Sequence, residues 1–235
     1  MYEKCYYNSH KLLSANLKSG YIREIQKGFY DQIICPGCES ESQIYDRYAS
    51  LILYQKKSSV YKKIKRKTNK KNMNGIILNY SFWENIDFLK FQKFVFACVL
   101  RMHLSERKRK KSLFSEKHFK IMRKIYKSDT IIDDEIYPII VKKSPDDDEY
   151  LNRVVLPYQR KIRGHNVIEF YGAGYTFWVF VSNHKKPDFV ELLCLKKKGD
   201  LYLSINYFED TGTFKALLNS NFKKDFKKYR DKKGR

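Results

Sequence analysis

Acidic residues are scarce in this chain: 26 Asp and Glu stand against 48 Lys and Arg, a net charge of +22 over 235 residues. Such an imbalance costs self-repulsion unless a polyanion offsets it, which points to nucleic acid as partner ahead of an anionic membrane surface. An AT-rich genome, which enriches Lys, Asn, Ile and Tyr, would give part of the same bias with no binding role. Long hydrophobic runs are also missing. No stretch of roughly 18 apolar residues is present, which argues against a membrane span. The N-terminal MYEKCYYNSHK lacks the apolar segment of a signal peptide. The expectation is a cytoplasmic protein with no membrane association. Cysteine is limited to five residues, at positions 5, 35, 38, 98 and 194. In a reducing compartment, a closely spaced pair favours metal or redox use over a structural disulfide. No internal repeat is found.

Enough apolar material is present for a folded core. Hydrophobic residues make up 43% and aromatics 16% of the chain, and its length suffices for one large domain or two small ones. The pattern predicts an α+β fold in three parts. Residues 1–57 form an N-terminal zinc-knuckle ββα unit, 58–128 a basic loop and central helices, and 129–235 an antiparallel β-sheet with a basic tail.

In the first part, 20–25 and 29–34 read as short strands split by Lys27-Gly28. Residues 40–56 read as a helix, with Ile44, Tyr45, Tyr48, Leu51 and Ile52 at spacings of three and four. In the second part, the Lys-rich segment 56–75 reads as a solvated loop or phosphate-tracking arm. Residues 86–104 are apolar over most of their circumference, as in a helix buried on several sides. Residues 114–127 read as an amphipathic helix with Phe114, Ile121 and Ile125 on one stripe. After Asp129, segments at 136–141, 153–158, 167–171, 175–181, 190–195 and 201–208 alternate or run apolar between Gly and Pro punctuation, the pattern of five or six strands. A short basic helix is expected from Asn221 to Arg235.

The most specific local signal is Cys35-Pro36-Gly37-Cys38. Zinc takes four tetrahedral ligands with sulfur or imidazole donors, and a CxxC turn supplies two. Cys5 and His10 lie in the same N-terminal unit and are the candidates for the other two. His10 has a second reading as a general base that activates water for attack on a phosphodiester. A thioredoxin-type redox role for the CxxC is the weaker alternative, because the chain lacks an alternating α/β pattern. Cys98 and Cys194 lie in apolar segments and read as small core residues. His103 and His118 read as surface or satisfied core residues. His165 reads as a turn residue next to Arg160, Lys161 and Arg163, where it could also touch phosphate. His184 reads as an exposed loop tip.

Phosphate-contacting candidates are Lys62, Lys63, Lys65, Arg66, Lys67, Lys70 and Lys71 in the first basic segment, and Arg107, Lys108 and Arg109 in the second.

The order Ser9-His10, then Tyr21-Ile22-Arg23, then Gln26-Lys27-Gly28, then Ile33-Ile34-Cys35-Pro36-Gly37-Cys38-Glu39 resembles a bacterial HNH-endonuclease-like family of the ββα-metal, zinc-knuckle type. That family carries Ser-His, Tyr-x-Arg, Gln-Asp-Gly and Leu-Leu-Cys-x-x-Cys-Glu in this order, the last opening a helix. The likeness extends more weakly through 86–104, 114–127 and Tyr137-Pro138. It implies that His10 is the catalytic histidine. It also implies that Cys35 and Cys38 hold a structural zinc, with Cys5 as what remains of an upstream CxxC, and that a divalent cation such as Mg²⁺ serves the reaction. It further implies DNA rather than RNA as substrate and a link to phage defence or mobile elements. Three positions depart from the family pattern: Asn8 replaces the second upstream cysteine, Lys11 follows Ser-His without a proline, and Lys27 stands where the family has Asp. A lysine there repels a cation. Two alternatives therefore stay open beside the endonuclease. One is an inactive zinc-stabilised nucleic-acid-binding protein. The other is a protein-interaction or inhibitor protein whose aromatic sheet meets a protein partner.

Overall fold

The computed structural model describes residues 12–15, 22–25, 34–73, 76–108, 112–130, 133–146, 154–172, 174–182 and 184–207. Cys5, His10, Lys27, Arg109 and the expected helix at 221–235 lie outside them.

Two short strands, β1 (Leu12–Ala15) and β2 (Ile22–Ile25), form an antiparallel hairpin that pairs Leu12 with Ile25 and Ala15 with Ile22. Helix α1 (Pro36–Leu53) follows. Cys35 caps it and Pro36 sits in its first turn, where proline's missing N–H and fixed φ carry no cost. The segment expected as a loop instead contains a short helix, α2 (Ser59–Lys63), and an edge strand, β3 (Lys65–Met73). Strand β3 pairs in register with β4 (Ile76–Glu84) across nine residue pairs. The reason lies in the partner. IILNYSFWE alternates and is strongly β-prone, and it recruits the polar lysine strand to the sheet edge, where lysines also discourage edge-to-edge association.

Helix α3 (Phe88–Lys108) crosses the core. Every residue from Phe91 to Ala97 is buried, including Gln92 and Lys93, which bears out a helix enclosed on several sides. The Lys93 amine escapes isolation by reaching Asp129 at 2.9 Å and the Tyr45 hydroxyl at 3.2 Å. Helix α4 (Glu116–Lys127) buries Phe119, Met122 and Tyr126, while Ile121 is exposed. Of the expected Phe114-Ile121-Ile125 line, Phe114 is buried and Ile125 packs against the core, while Ile121 faces outward.

The remaining strands are β5 (Ile139–Lys143), β6 (Val154–Ile162), β7 (His165–Gly172), β8 (Tyr175–Phe180) and β9 (Leu201–Ile205). They join β3 and β4 in a seven-stranded sheet of order β3-β4-β9-β5-β8-β7-β6. Three expectations differ from the structure. The sheet draws its first two strands from the central segment, and it is mixed, since β5 and β9 run parallel. Residues 190–195, expected as a strand, belong largely to helix α5 (Asp188–Leu193). Pro187 ahead of Asp188 and Glu191 starts a helix, and a short apolar run alone does not separate the two states. At the far edge, β6 breaks register between Val155 and Tyr158 around Pro157, which cannot donate to a ladder. Arg163 and Gly164, both at positive φ, form the two-residue turn from β6 to β7.

Alternation divides the sheet. One face, carrying Trp83, Ile139, Val141, Ile168, Phe170, Phe177, Val179, Leu201 and Leu203, packs against α1, α3 and α4 in the main core. The opposite face carries a smaller cluster of Ile140, Val167, Phe180, Val190 and Cys194 under α5. The main-core face is the inner one and the α5 face the outer. Among the described residues there are five helices, and none is long and apolar enough to cross a membrane.

Candidate cysteine knuckle and nucleic-acid interface

The CxxC forms the N-terminus of α1. The Cys35 sulfur accepts the Cys38 backbone N–H at 3.4 Å, the position of a helix cap. Cys35 is exposed and Cys38 half-buried. The Cys38 backbone N–H holds the Cys35 thiol below its ordinary pKa, whereas sharing a hydrogen bond with Cys35 raises that of Cys38. Two adjacent sulfurs of this kind, one biased toward thiolate, are a donor pair suited to zinc. Cys5 and His10, the other expected ligands, lie outside the described residues. Among those that are described, no group of three or more His, Cys, Asp and Glu side chains comes together. Two of the acids that follow the knuckle are engaged elsewhere. Asp46 takes a two-pronged ion pair from Arg101 at 2.9 and 3.0 Å, tying α1 to α3, and Glu41 pairs with Lys127 of α4.

This geometry sets a measurable order of reactivity. In metal-free, reduced protein, iodoacetamide is expected to label Cys35 faster than Cys38, since thiolate is the attacking form. Added Zn²⁺ is expected to protect both. Peptide mass mapping over a time course reads both outcomes. Equal labelling that ignores zinc would remove the knuckle as a metal site.

The basic candidates divide by strand parity. Lys62 and Lys63 are exposed in the last turn of α2, and Lys65 and Lys67 are exposed on the outer face of β3. Lys67 lies 3.9 Å from Glu84, an open pair that contributes little. Arg66 points the other way. Its guanidinium donates to the carbonyls of Tyr61 (2.6 Å), Ile64 (3.0 Å) and Ile52 (3.0 Å) and stacks over Tyr61 and Trp83 at 3.5 and 4.4 Å. It closes the corner between α1, α2 and the sheet. Lys70 and Lys71 continue β3 opposite Asn79 and Leu78. Arg107 and Lys108 lie in the last turn of α3.

Several neighbours on the outer face escaped the sequence reading. Tyr80 and Phe82 on β4 and Tyr202 on β9 form a ring cluster: Phe82 and Tyr202 have centroids 4.5 Å apart at 32°, Tyr80 and Tyr202 6.3 Å at 42°. Their signal was the i, i+2 placement of aromatics in Tyr80-Ser81-Phe82, visible once 76–84 is taken as a strand. Further along the same face, the Lys142 amine sits 3.6 Å over the Trp178 ring, and burial pushes its pKa down to about 8. Arg160 donates to the buried Glu169 at 2.8 Å beside them.

Three of the described histidines are structural in their contacts. His103 is buried and stacked between Phe114 and Phe119 at 4.2 and 5.1 Å. His118 shares a 2.9 Å hydrogen bond with the Tyr137 hydroxyl. His165, which could have faced phosphate, is buried with its Nδ1 2.9 Å from the Ser182 hydroxyl. His184 is exposed, as its loop position suggested.

Compared with family models, with curated proteins and with solved structures, this chain has no match.

Proposed function

We propose that this chain is a nucleic-acid-binding protein whose N-terminal hairpin and CxxC-capped helix are held by a structural zinc. The observation that carries this reading is the row of exposed lysines at 62, 63, 65 and 67 on α2 and the edge strand, in a chain of net charge +22. Ammonium groups on an edge strand reach a phosphate backbone without leaving the sheet. Cys35 and Cys38 would hold the zinc, with Cys5 and His10 as the remaining donors. DNA is the substrate carried by the family resemblance, and a role in defence against phage or mobile elements follows from the same resemblance.

A second reading is favoured by one arrangement. Ser9-His10 stands immediately ahead of β1, and the hairpin is followed by the CxxC and α1, the ββα order of an HNH-like endonuclease. In that reading His10 takes a proton from the attacking water. A bound divalent cation would stabilise charge developing on the phosphodiester.

Two measurements decide between these readings. Binding affinity for nucleic acid is expected to fall log-linearly with salt, with a slope near −0.9 per phosphate neutralised on duplex. Replacing Lys62, Lys63, Lys65 and Lys67 by Ala is expected to flatten that slope by about one unit for each phosphate that a removed lysine had neutralised. Salt-independent affinity, or none, would overturn the binding reading and favour a protein partner. Plasmid nicking with Mg²⁺, Mn²⁺ or Ni²⁺ that His10→Ala abolishes, with binding retained, would establish the endonuclease. No nicking by the zinc-loaded wild-type chain would dismiss it.

A further inference from the structure

We propose that the outer face of the sheet over β3, β4 and β9 is a stacking platform for single-stranded nucleic acid. This rests on the nucleic-acid reading above and deepens it from phosphate contact to base contact.

The platform follows from strand register. Phe82 lies opposite Lys67 on β3 and opposite Tyr202 on β9. Tyr80 lies opposite Asn69 on β3 and Ser204 on β9, and Ser204 lies opposite Lys142 on β5. Residues directly opposite share a face. Two transverse rows result, one of Lys67, Phe82 and Tyr202 and the other of Asn69, Tyr80, Ser204 and Lys142. Lys65 flanks the first on the edge.

The three rings belong to neither buried cluster, and each is half-buried rather than enclosed. Among the described residues, helix α5 covers the outer face around Ile140, Val167 and Phe180. Rings left at a sheet surface with lysines beside them and amide or hydroxyl groups between them offer the three kinds of group an unpaired strand needs. These are π-faces for bases, cations for phosphates, and hydrogen-bonding groups for base edges. The charge sorting agrees. Of the acids on this face, Glu84 lies beside Lys67 at 3.9 Å and Glu169 is buried against Arg160 at 2.8 Å. Lys65 and Lys67 are exposed.

A duplex keeps its bases stacked on one another and offers such a surface only its backbone. A single strand offers both backbone and rings, so the aromatic rows select it. An uncharged protein surface would use the rings and leave the lysine rim unpaired.

The test uses the full zinc-loaded chain and a fluorescein-labelled oligonucleotide of mixed sequence, as a single strand and as the same sequence annealed to its complement. Anisotropy titrations are expected to show tighter binding of the single strand. Phe82→Ala and Tyr202→Ala are each expected to weaken single-strand binding by roughly five- to hundredfold and to leave duplex binding much less affected. Lys67→Ala is expected to flatten the salt slope without changing the single-strand preference. A second measurement does not depend on the variants folding. A 5-bromouracil-substituted strand, irradiated on wild-type protein, is expected to crosslink to peptides containing Tyr80, Phe82 or Tyr202. Equal affinity for both forms, ring variants that bind as wild type, or crosslinks only to other peptides would overturn the platform. In those cases a persistent salt-dependent affinity would leave the phosphate-binding reading standing. Absence of any nucleic-acid binding would overturn both.

Discussion

Phe177→Ala is expected to lower the free energy of unfolding by about 3–5 kcal/mol. Phe177 is 1% exposed at the centre of β8, where the sheet meets α3. Its ring stacks on Phe170 at 4.8 Å and 10°, meets Phe94 edge-on at 6.0 Å, and lies 6.5 Å from Phe91. Truncation forfeits the transfer energy of the ring and leaves a void lined by three other rings. Those rings are fixed by the helix on one side and by a paired strand on the other, so they cannot collapse into the gap. The loss falls where both layers of the main core are joined, so the transition should shift without splitting. Urea unfolding followed by circular dichroism should move to a lower midpoint at unchanged slope. Phe177→Leu keeps most of the volume and is expected to cost less than half as much. A Phe177→Ala midpoint within error of wild type would mean that α3 does not seat on β8 as described.

Helix α3 was legible in the sequence because FLKFQKFVFACVLRMHL is apolar over most of its circumference, and only burial on several faces accommodates that. The strands after Asp129 were legible for a similar reason: alternation and Gly or Pro punctuation repeat at short intervals, and five of the six expected segments contain a strand. The lysine strand was not legible. Thr68 apart, KRKTNKKNM has little that favours extended backbone, and the strand exists because β4 offers it a complete ladder, so a non-local partner overrode a local preference. Parity then decided which basic residues face solvent. Arg66 and Lys67 are neighbours in sequence and look equivalent there. On a strand they point to opposite faces, so one closes the core corner and the other stays exposed. The ring cluster was hidden by the same step, since Tyr80 and Tyr202 are 122 positions apart and meet only through the β4–β9 pairing. The sulfur pair was legible from spacing alone, because a CxxC turn needs only local geometry.

Gly199→Ala is expected to cost roughly 3–4 kcal/mol, more than a turn substitution ordinarily does. Gly199 has φ +88°, a conformation that strains any residue with a side chain. The left-handed backbone alone accounts for about 1–2 kcal/mol. The rest is steric, because an added Cβ would fall 2.3 Å from the Ile86 carbonyl oxygen and 3.0 Å from its nitrogen. Both are backbone atoms and cannot rotate away. The Ile86 N–H also donates to the Gly199 carbonyl at 3.0 Å, so the two chain segments are clamped at the point of overlap. Ile86 follows β4 by two residues, and Gly199 precedes β9 by two. The clamp therefore aligns Trp83 with Leu201 on the inner face and Phe82 with Tyr202 on the outer one. Relieving the clash requires β9 to move from β4, which loosens the core and shifts the Tyr202 ring from Phe82 together. Thermal unfolding and single-strand affinity should consequently fall in the same variant. Gly37→Ala supplies the control, since a Cβ there meets nothing within 4 Å inside α1, and it is expected to leave metal-free stability within about 0.5 kcal/mol of wild type or slightly above it. A Gly199→Ala protein as stable as Gly37→Ala would mean that the 196–200 turn does not rest on Ile86, and the alignment of the two aromatic rows would lose its support.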